Sequence, residues 1–263
     1  MKALSILVLV ALELCASVYY AKIEPVEVYT IKANTSGTVS KIARDQEGLV
    51  ASDLVVVQLD DALDKVELAR SRQKLVALQS MQEATRESLQ NLEEIAIVKE
   101  DQYARVKDLK TKAQSAKEAE YIAFLNAQNQ AITTRSTLHN LESQIAELRF
   151  KIESLEDTIA KKRIAVKDVL VYALHVNERD YVSVGTTLVE THDVRHGKLT
   201  LFLNANDAQT VGEKTIYLDD VATQIKLDKL WPVADVQNIS SYKAEIIIPS
   251  PGMFSRLVKV EFK

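Results

Sequence analysis

Few side chains in this sequence stand in a pattern that supports chemistry, and those that do point away from catalysis. His192 and His196 have i, i+4 spacing, the offset at which one helix face presents two imidazoles to a metal ion. They fall in a segment that reads as a loop with Gly197. No cysteine or third histidine is near, so no metal site is expected. The single cysteine, Cys15, closes an apolar run, as acylated cysteines do, although Leu14 stands where a small residue normally precedes the modified thiol. A passive apolar role for Cys15 stays open. One cysteine excludes an intrachain disulfide, so disulfides carry no information on compartment. No glycine-rich phosphate loop and no nucleophile motif occurs. A net charge of -4 leaves no basic field for nucleic acid.

The elements that position these groups are more informative than the groups themselves. The chain has 6 Gly and 4 Pro, yet no Gly falls between Gly48 and Gly185 and no Pro between Pro25 and Pro232. A stretch of that length without either breaker reads as continuous helix. Within it, Leu138, Leu141, Ile145, Leu148, Ile152, Leu155 and Ile159 alternate spacings of three and four, a coiled-coil stripe. Phe124, Ala127, Ala131 and Thr134 extend it backwards with smaller residues. A looser stripe of Leu68, Leu75, Leu78, Leu89, Leu92, Ala96, Tyr103 and Val106 precedes it, interrupted by Gln82 and Thr85. Lys110 to Ser115 offers no stripe residue of any size, and Ser115 with Glu118 three positions on reads as a capping box opening a second helix. The expectation is an antiparallel helical hairpin over 61–167, its tip at about 105–116. The abundant Glu and Asp of this segment are then the solvated face of a coiled coil.

The flanks of the hairpin repeat each other. Residues 39–60 and 171–192 align without a gap: Val39 with Val171, Ile42 with Leu174, Val50 with Val182, Val56 with Leu188 and Val57 with Val189. The turn formers Gly48 and Asp53 match Asp180 and Gly185. Neither strand-turn-strand copy buries its apolar side alone, whereas two copies packed face to face make a small β-sandwich. Antiparallel helices return the chain to its starting point, so the halves can meet. Beyond Asp193, Lys198–Asn204, Thr215–Leu218, Ala244–Ile248 and Leu257–Phe262 read as strands of a small β-barrel, with Val26–Ile31 as a further candidate. Trp231-Pro232 is expected to pack that barrel or to face a partner. At the other end, Met1-Lys2 followed by the apolar Ala3–Val18 reads as a signal peptide or an N-terminal membrane anchor over 1–21, with Ala16 or Ser17 at a cleavage position and Glu13 weakening the anchor reading.

Ser36-Gly37-Thr38-Val39, Glu47-Gly48 with Val50, and Leu59-Asp60 resemble the first lipoyl-like half of the periplasmic adaptors, the membrane fusion proteins of tripartite efflux pumps and hemolysin-D-like secretion systems. Residues 167–193 resemble their second half, departing at Val169, where that family usually has a turn glycine. The resemblance implies a mixed α and β fold: a long antiparallel coiled-coil α-hairpin inserted between two halves of a lipoyl-like β-sandwich, followed by a β-barrel. The segments are 22–60 (first barrel strand and first half), 61–167 (hairpin), 168–193 (second half) and 194–263 (barrel). At the tip, Arg105 and Leu109 keep the spacing of the family's channel-docking residues, and Ser115 follows one residue early. The resemblance implies an outer-membrane channel and an inner-membrane transporter as partners, of resistance-nodulation-division type first and ABC type second. It also implies self-association into a hexameric ring and a periplasmic location at the inner membrane. No cofactor is expected: the hairpin replaces the turn that carries lipoate in true lipoyl domains, which makes Lys65 a helix-surface residue. With 3 Met, methionine-rich metal sites are not expected either. The rival reading is a structural coiled-coil envelope protein, paired between chains.

Overall fold

The computed structural model describes residues 17–234, 238, 240–249 and 251–263. Cys15 and most of the leader segment lie outside the described residues. Chain order begins with β1 (Val18–Pro25), β2 (Val28–Lys32), β3 (Gly37–Ile42), β4 (Val50–Ala51) and β5 (Leu54–Leu59). Helices α1 (Ala62–Val106) and α2 (Gln114–Lys161) follow, then β6 (Arg163–Val166), β7 (Val169–Leu174), β8 (Tyr181–Val182) and β9 (Thr187–His192). The last segment holds β10 (His196–Leu203), α3 (Ala205–Thr210), β11 (Ile216–Leu218), β12 (Val221–Ala222), β13 (Leu227–Ala234), β14 (Tyr242–Pro249) and β15 (Leu257–Phe262). Two compact units result, one of Leu59–Arg163 and the other of everything before and after it.

The repeat folds as a sandwich of two interlocked four-stranded sheets, ordered β2-β9-β7-β4 and β6-β5-β3-β8. Each half lends its short strand to the sheet of the other: β4 pairs with β7, and β8 pairs with β3. The backbone shows the same exchange, since Val39 N–H donates to Asp180 C=O while Gly48 N–H donates to Val171 C=O, both at 2.8 Å. The core is the set of repeated apolar positions, with Val39, Val56, Val57, Val171, Leu188 and Val189 at 0–1% exposure. One aligned pair fails. Val182 is 1% exposed but Val50 is 54% exposed, and Ala51 points inward at 2% instead. The left-handed turn residue is Gly48 (φ 85) in the first half but Arg179 (φ 73), the counterpart of Glu47, in the second. A turn displaced by one residue flips every side chain of the strand that follows. Val169, where a turn glycine was missing, opens strand β7, and the positive φ falls on Asp168.

The barrel segment is a seven-stranded sheet, β12-β11-β15-β1-β10-β14-β13, that wraps around its own core. Ile23, Leu199, Leu201, Leu203, Ile216, Ile246, Val260 and Phe262 form that core. Val26–Ile31 does not join the barrel: β2 pairs with β9 in the sandwich. The first barrel strand is β1, which pairs with β10 and β15 and takes residues 18–21 of the expected leader. Its alternation of Tyr19, Ala21 and Ile23 towards the core is continuous with the apolar leader, and this hid it. The eight-residue strand β13 has no counterpart among the expected strands. It carries Pro232 and is exposed along nearly all its length, which only an edge strand tolerates. Trp231 on β13 is 36% exposed, with the Lys243 ammonium 4.5 Å from its ring centre.

A polar clamp fastens β1 to α3. The Tyr19 hydroxyl donates to Asp207 Oδ2 at 2.6 Å, Asn204 Nδ2 donates to the same oxygen at 2.9 Å, and Lys214 Nζ stands 3.0 Å from Oδ1. Asn204 also caps α3 by accepting from the Asp207 N–H. Burial pushes the Asp207 carboxyl up, but hydrogen bonds from Ser17, Tyr19 and Lys214 outweigh it and bring the group down to about 2. A carboxyl depressed from an ordinary 3.8 adds stability above that value and loses it as pH falls through about 2. Asp207→Asn is therefore expected to cost on the order of 2 kcal/mol at neutral pH. It should also remove part of the acid limb of the stability profile, as read by denaturant melts between neutral pH and strong acid.

The second unit is an antiparallel hairpin. Its ends meet where Leu59 N–H donates to Lys162 C=O at 2.9 Å. Buried Leu78, Leu141, Ile145, Leu148 and Ile152 form one cluster and Leu89, Ala131 and Leu138 another, each flanked by half-buried leucines. The α1 seam runs unbroken, because Ser71, Gln82 and Thr85 occupy seam positions with at least half-buried side chains. Small polar residues there keep the period without filling the interface. Cross-helix ion pairs join Arg72 to Glu156, Lys151 to Glu67 and Arg135 to Glu93. The helical span is shorter than 61–167, since Arg163–Val166, expected inside it, forms β6 and begins the return to the sheet.

Candidate functional site

The hairpin tip is a seven-residue turn between the last residue of α1, Val106, and the first of α2, Gln114. The Lys107 N–H donates to Tyr103 C=O at 3.0 Å and the Leu109 N–H to Val106 C=O at 3.2 Å, so the first helix unwinds through a tightened turn. The ring of Tyr103 packs against that of Tyr121 at 5.0 Å, which ties the two helices together just below the turn. A small cavity of about 260 Å³ opens beside that pair, lined by Lys107, Gln114, Lys117 and Glu118.

The three sequence-predicted residues all lie on this turn or within one helical turn of it. Arg105 sits in the last turn of α1, with its side chain 75% exposed and paired with Asp101. Such a surface pair contributes at most about 1 kcal/mol, so the guanidinium is easily exchanged to another acceptor. Leu109 is 46% exposed at the apex, with no helix to cover it. Ser115 is exposed, but it is not the N-cap. The N-cap is Ala113, which has extended ψ (143°) and no capping side chain, and Gln114 rather than Ser115 bonds to Glu118, at 3.0 Å. With Ala113 as cap, the helix starts earlier than the Ser115–Glu118 pattern implied. That leaves the Ser115 hydroxyl free of the capping bond it was expected to make.

The tip is locally basic, a feature outside the sequence expectations. Residues 105–118 carry Arg105, Lys107, Lys110, Lys112 and Lys117 against only Asp108 and Glu118, in a chain that is acidic overall. Its signal is local charge density, which whole-chain composition conceals.

His192 and His196 do not share a helix face. His192 ends β9 and His196 opens β10, and the His192 ring stacks on Tyr172 at 4.2 Å while its Nε2 lies 2.9 Å from Glu190. Among the described residues no group of three or more metal-binding side chains is assembled. No helix among them is long and apolar enough to cross a membrane.

No family profile and no curated protein matches the sequence. Solved structures do match. MacA from Actinobacillus actinomycetemcomitans superposes with a TM-score of 0.67 at 14% identity, over 94% of this chain and 78% of that one. The membrane fusion protein Spr0693 from Streptococcus pneumoniae R6 superposes with a TM-score of 0.58 at 10% identity, over 94% and 98%. The fold is that of the membrane fusion proteins. A MacA–MexA chimera carrying the α-hairpin domain of Pseudomonas aeruginosa MexA also matches, with a TM-score of 0.56 at 14% identity over 94% and 81%. The membrane fusion fold accounts for the element order seen here: half-repeat, hairpin, half-repeat, barrel.

Proposed function

We propose that this chain is the periplasmic adaptor of a tripartite export system. It links an inner-membrane transporter, of resistance-nodulation-division type ahead of ABC type, to an outer-membrane channel. The observation that carries the reading is a rigid two-helix arm ending in an exposed, cation-rich turn, on a chain with the membrane fusion fold. Arg105 and the lysines offer charge-assisted hydrogen bonds to carbonyl and carboxylate groups at a channel mouth. Leu109 supplies an apolar tooth for a groove between channel helices, and Ser115 supplies a hydroxyl. The work is mechanical: a conduit is sealed and two membranes are coupled, with no bond made or broken and no cofactor required. The N-terminal segment or the transporter holds the chain at the inner membrane, and copies associate into a ring, hexameric by the family resemblance.

The rival, a structural coiled-coil protein of the envelope, pairs its helices between chains. Leu92 and Leu138 pack in one cluster across the hairpin and decide between the two. In a Cys15→Ser background, Leu92→Cys with Leu138→Cys is expected to give a disulfide within one chain, seen as a mobility shift of the monomer on a non-reducing gel. Dimers as the main product would sink the hairpin and the adaptor with it.

A further inference from the structure

Strand β7 pairs with β9 through Val171 to Thr191 and then through Ala173 to Glu190, so Tyr172 is an extra residue without a partner, a β-bulge. A bulge re-aims the side chain it carries. Here the Tyr172 ring lies on that of His192, with 4.2 Å between centres and 16° between planes. His192 is held in turn by Glu190, 2.9 Å from its Nε2. Val28 and Leu170 share this face of the sheet, because both are cross-strand partners of His192. The result is an apolar wall that carries an aromatic plate and is left open, with Tyr172 55% and Val28 54% exposed. Packing within the sandwich does not account for a bulge that leaves a stacked ring half in water. The wall borders a cleft of about 540 Å³, lined from the barrel segment by Lys22, Glu24, Lys198 and Phe254. Lys198 stands cross-strand from Glu24, and its ammonium donates to the Val26 carbonyl at 3.3 Å. The barrel side therefore sets two lysines against one glutamate. A cleft of this size takes a molecule of two or three rings.

We propose that this cleft binds a monoanionic amphiphile with a flat ring system. The rings lie against Tyr172 among Val28, Leu170 and Phe254, and the anionic group meets Lys22 and Lys198. Removal of both apolar faces from water drives entry, and the stacked pair fixes the orientation of the ring that covers it. The excess of lysine selects the sign of the ligand: an anion is paired, whereas a cation meets like charge. A fully polar molecule would leave Val28 and Leu170 uncovered. The site lies wholly within the β unit and does not rest on the adaptor reading.

The probe is anilinonaphthalene sulfonate, an aromatic monoanion whose emission rises when it leaves water, titrated into the full-length chain. Saturable binding to a single site is expected. Tyr172→Ser removes the plate, Val28→Asp sets a carboxylate in the apolar wall and Lys198→Glu reverses a charge of the rim, and each is expected to weaken binding about tenfold. Tyr172→Phe keeps the ring and should bind as the parent does. So should Tyr181→Ser, which alters a 70% exposed tyrosine outside the cleft. Phenylnaphthylamine, the same rings without the sulfonate, is expected to bind about tenfold more weakly than the anion. Absence of saturable binding, affinity unmoved by Tyr172→Ser and Val28→Asp, or an uncharged probe that binds as tightly as the anion overturns the proposal. Tyr172 and Val28 are exposed, so both variants should melt with the parent. If Tyr172→Ser misfolds, Val28→Asp and the pair of probes on the parent chain still decide.

Discussion

Arg105→Asp is expected to abolish export while the chain folds, self-associates and reaches its compartment as before. The reversal has a small cost within the arm. It breaks an exposed pair with Asp101, sets two carboxylates at i, i+4 and places an anion in the last turn of a helix, effects of a few tenths of a kcal/mol each. At a desolvated contact the same reversal costs about 2–5 kcal/mol, because it removes a donor and leaves its acceptor buried against like charge. On the adaptor reading, docking therefore fails where folding does not. Arg105→Lys, which keeps the charge and loses the bidentate fork, should fall between the two. The assay is export of the cargo in cells lacking the native chain, with melting temperature and sedimentation recorded on the purified variants. Unchanged export with Asp at 105 would remove the docking role from this residue.

The largest effect on stability is expected from Ile145→Asp. Ile145 is the most buried large side chain of the two helices, 4% exposed among Leu78, Leu141, Leu148 and Ile152. The change removes the burial of a full aliphatic side chain and places a carboxylate where no donor waits, a loss of about 3–5 kcal/mol. A two-helix arm has one seam and no second layer to absorb such a loss. Helical ellipticity should melt at a clearly lower temperature than in the parent, while the β unit, which draws nothing from this seam, keeps its own transition. Phe150→Asp is the matched control on the same helix: Phe150 is 73% exposed, and the change should stay within about 0.5 kcal/mol. Equal melting of the two variants would mean that the seam has been misassigned.

The hairpin and the sandwich were legible because each obeys a period that survives without tertiary information. The heptads of α2 from Leu138 to Ile159 and the repeat from Val39 to Val57 against Val171 to Val189 are of this kind. Errors fell where burial, not period, decides. Strand β1 merges with the apolar leader because both are hydrophobic, and only pairing with β10 and β15 separates them. Strand β13 buries almost nothing, so it left no apolar alternation to read. Val50 was misplaced because a gapless alignment cannot see a turn that moves by one residue from Glu47 to Gly48 in conformation while keeping its length. At the tip, Arg105 lies in the last turn of α1 and Leu109 in the turn that follows, whereas the Ser115 cap is absent because helix starts are set by backbone geometry as much as by the side chain available.

The closure between Leu59 and Lys162 has a consequence for the reach of the molecule. About one hundred residues are spent between two halves of a single sandwich, yet the chain leaves on β5 and re-enters on β6, its hydrogen-bonded neighbour, so the excursion imposes no gap on the sandwich it interrupts. A floppy loop of that length would carry a closure penalty growing with its size. Here the penalty is absorbed by the seam, layer by layer, and is independent of how many layers there are. Length is then a free variable. Removing or adding seven residues on each helix shifts the tip by about 10 Å and leaves the seam in phase and the closure untouched. The arm is a ruler graduated in heptads, and a change in the distance to be spanned asks nothing new of the rest of the protein.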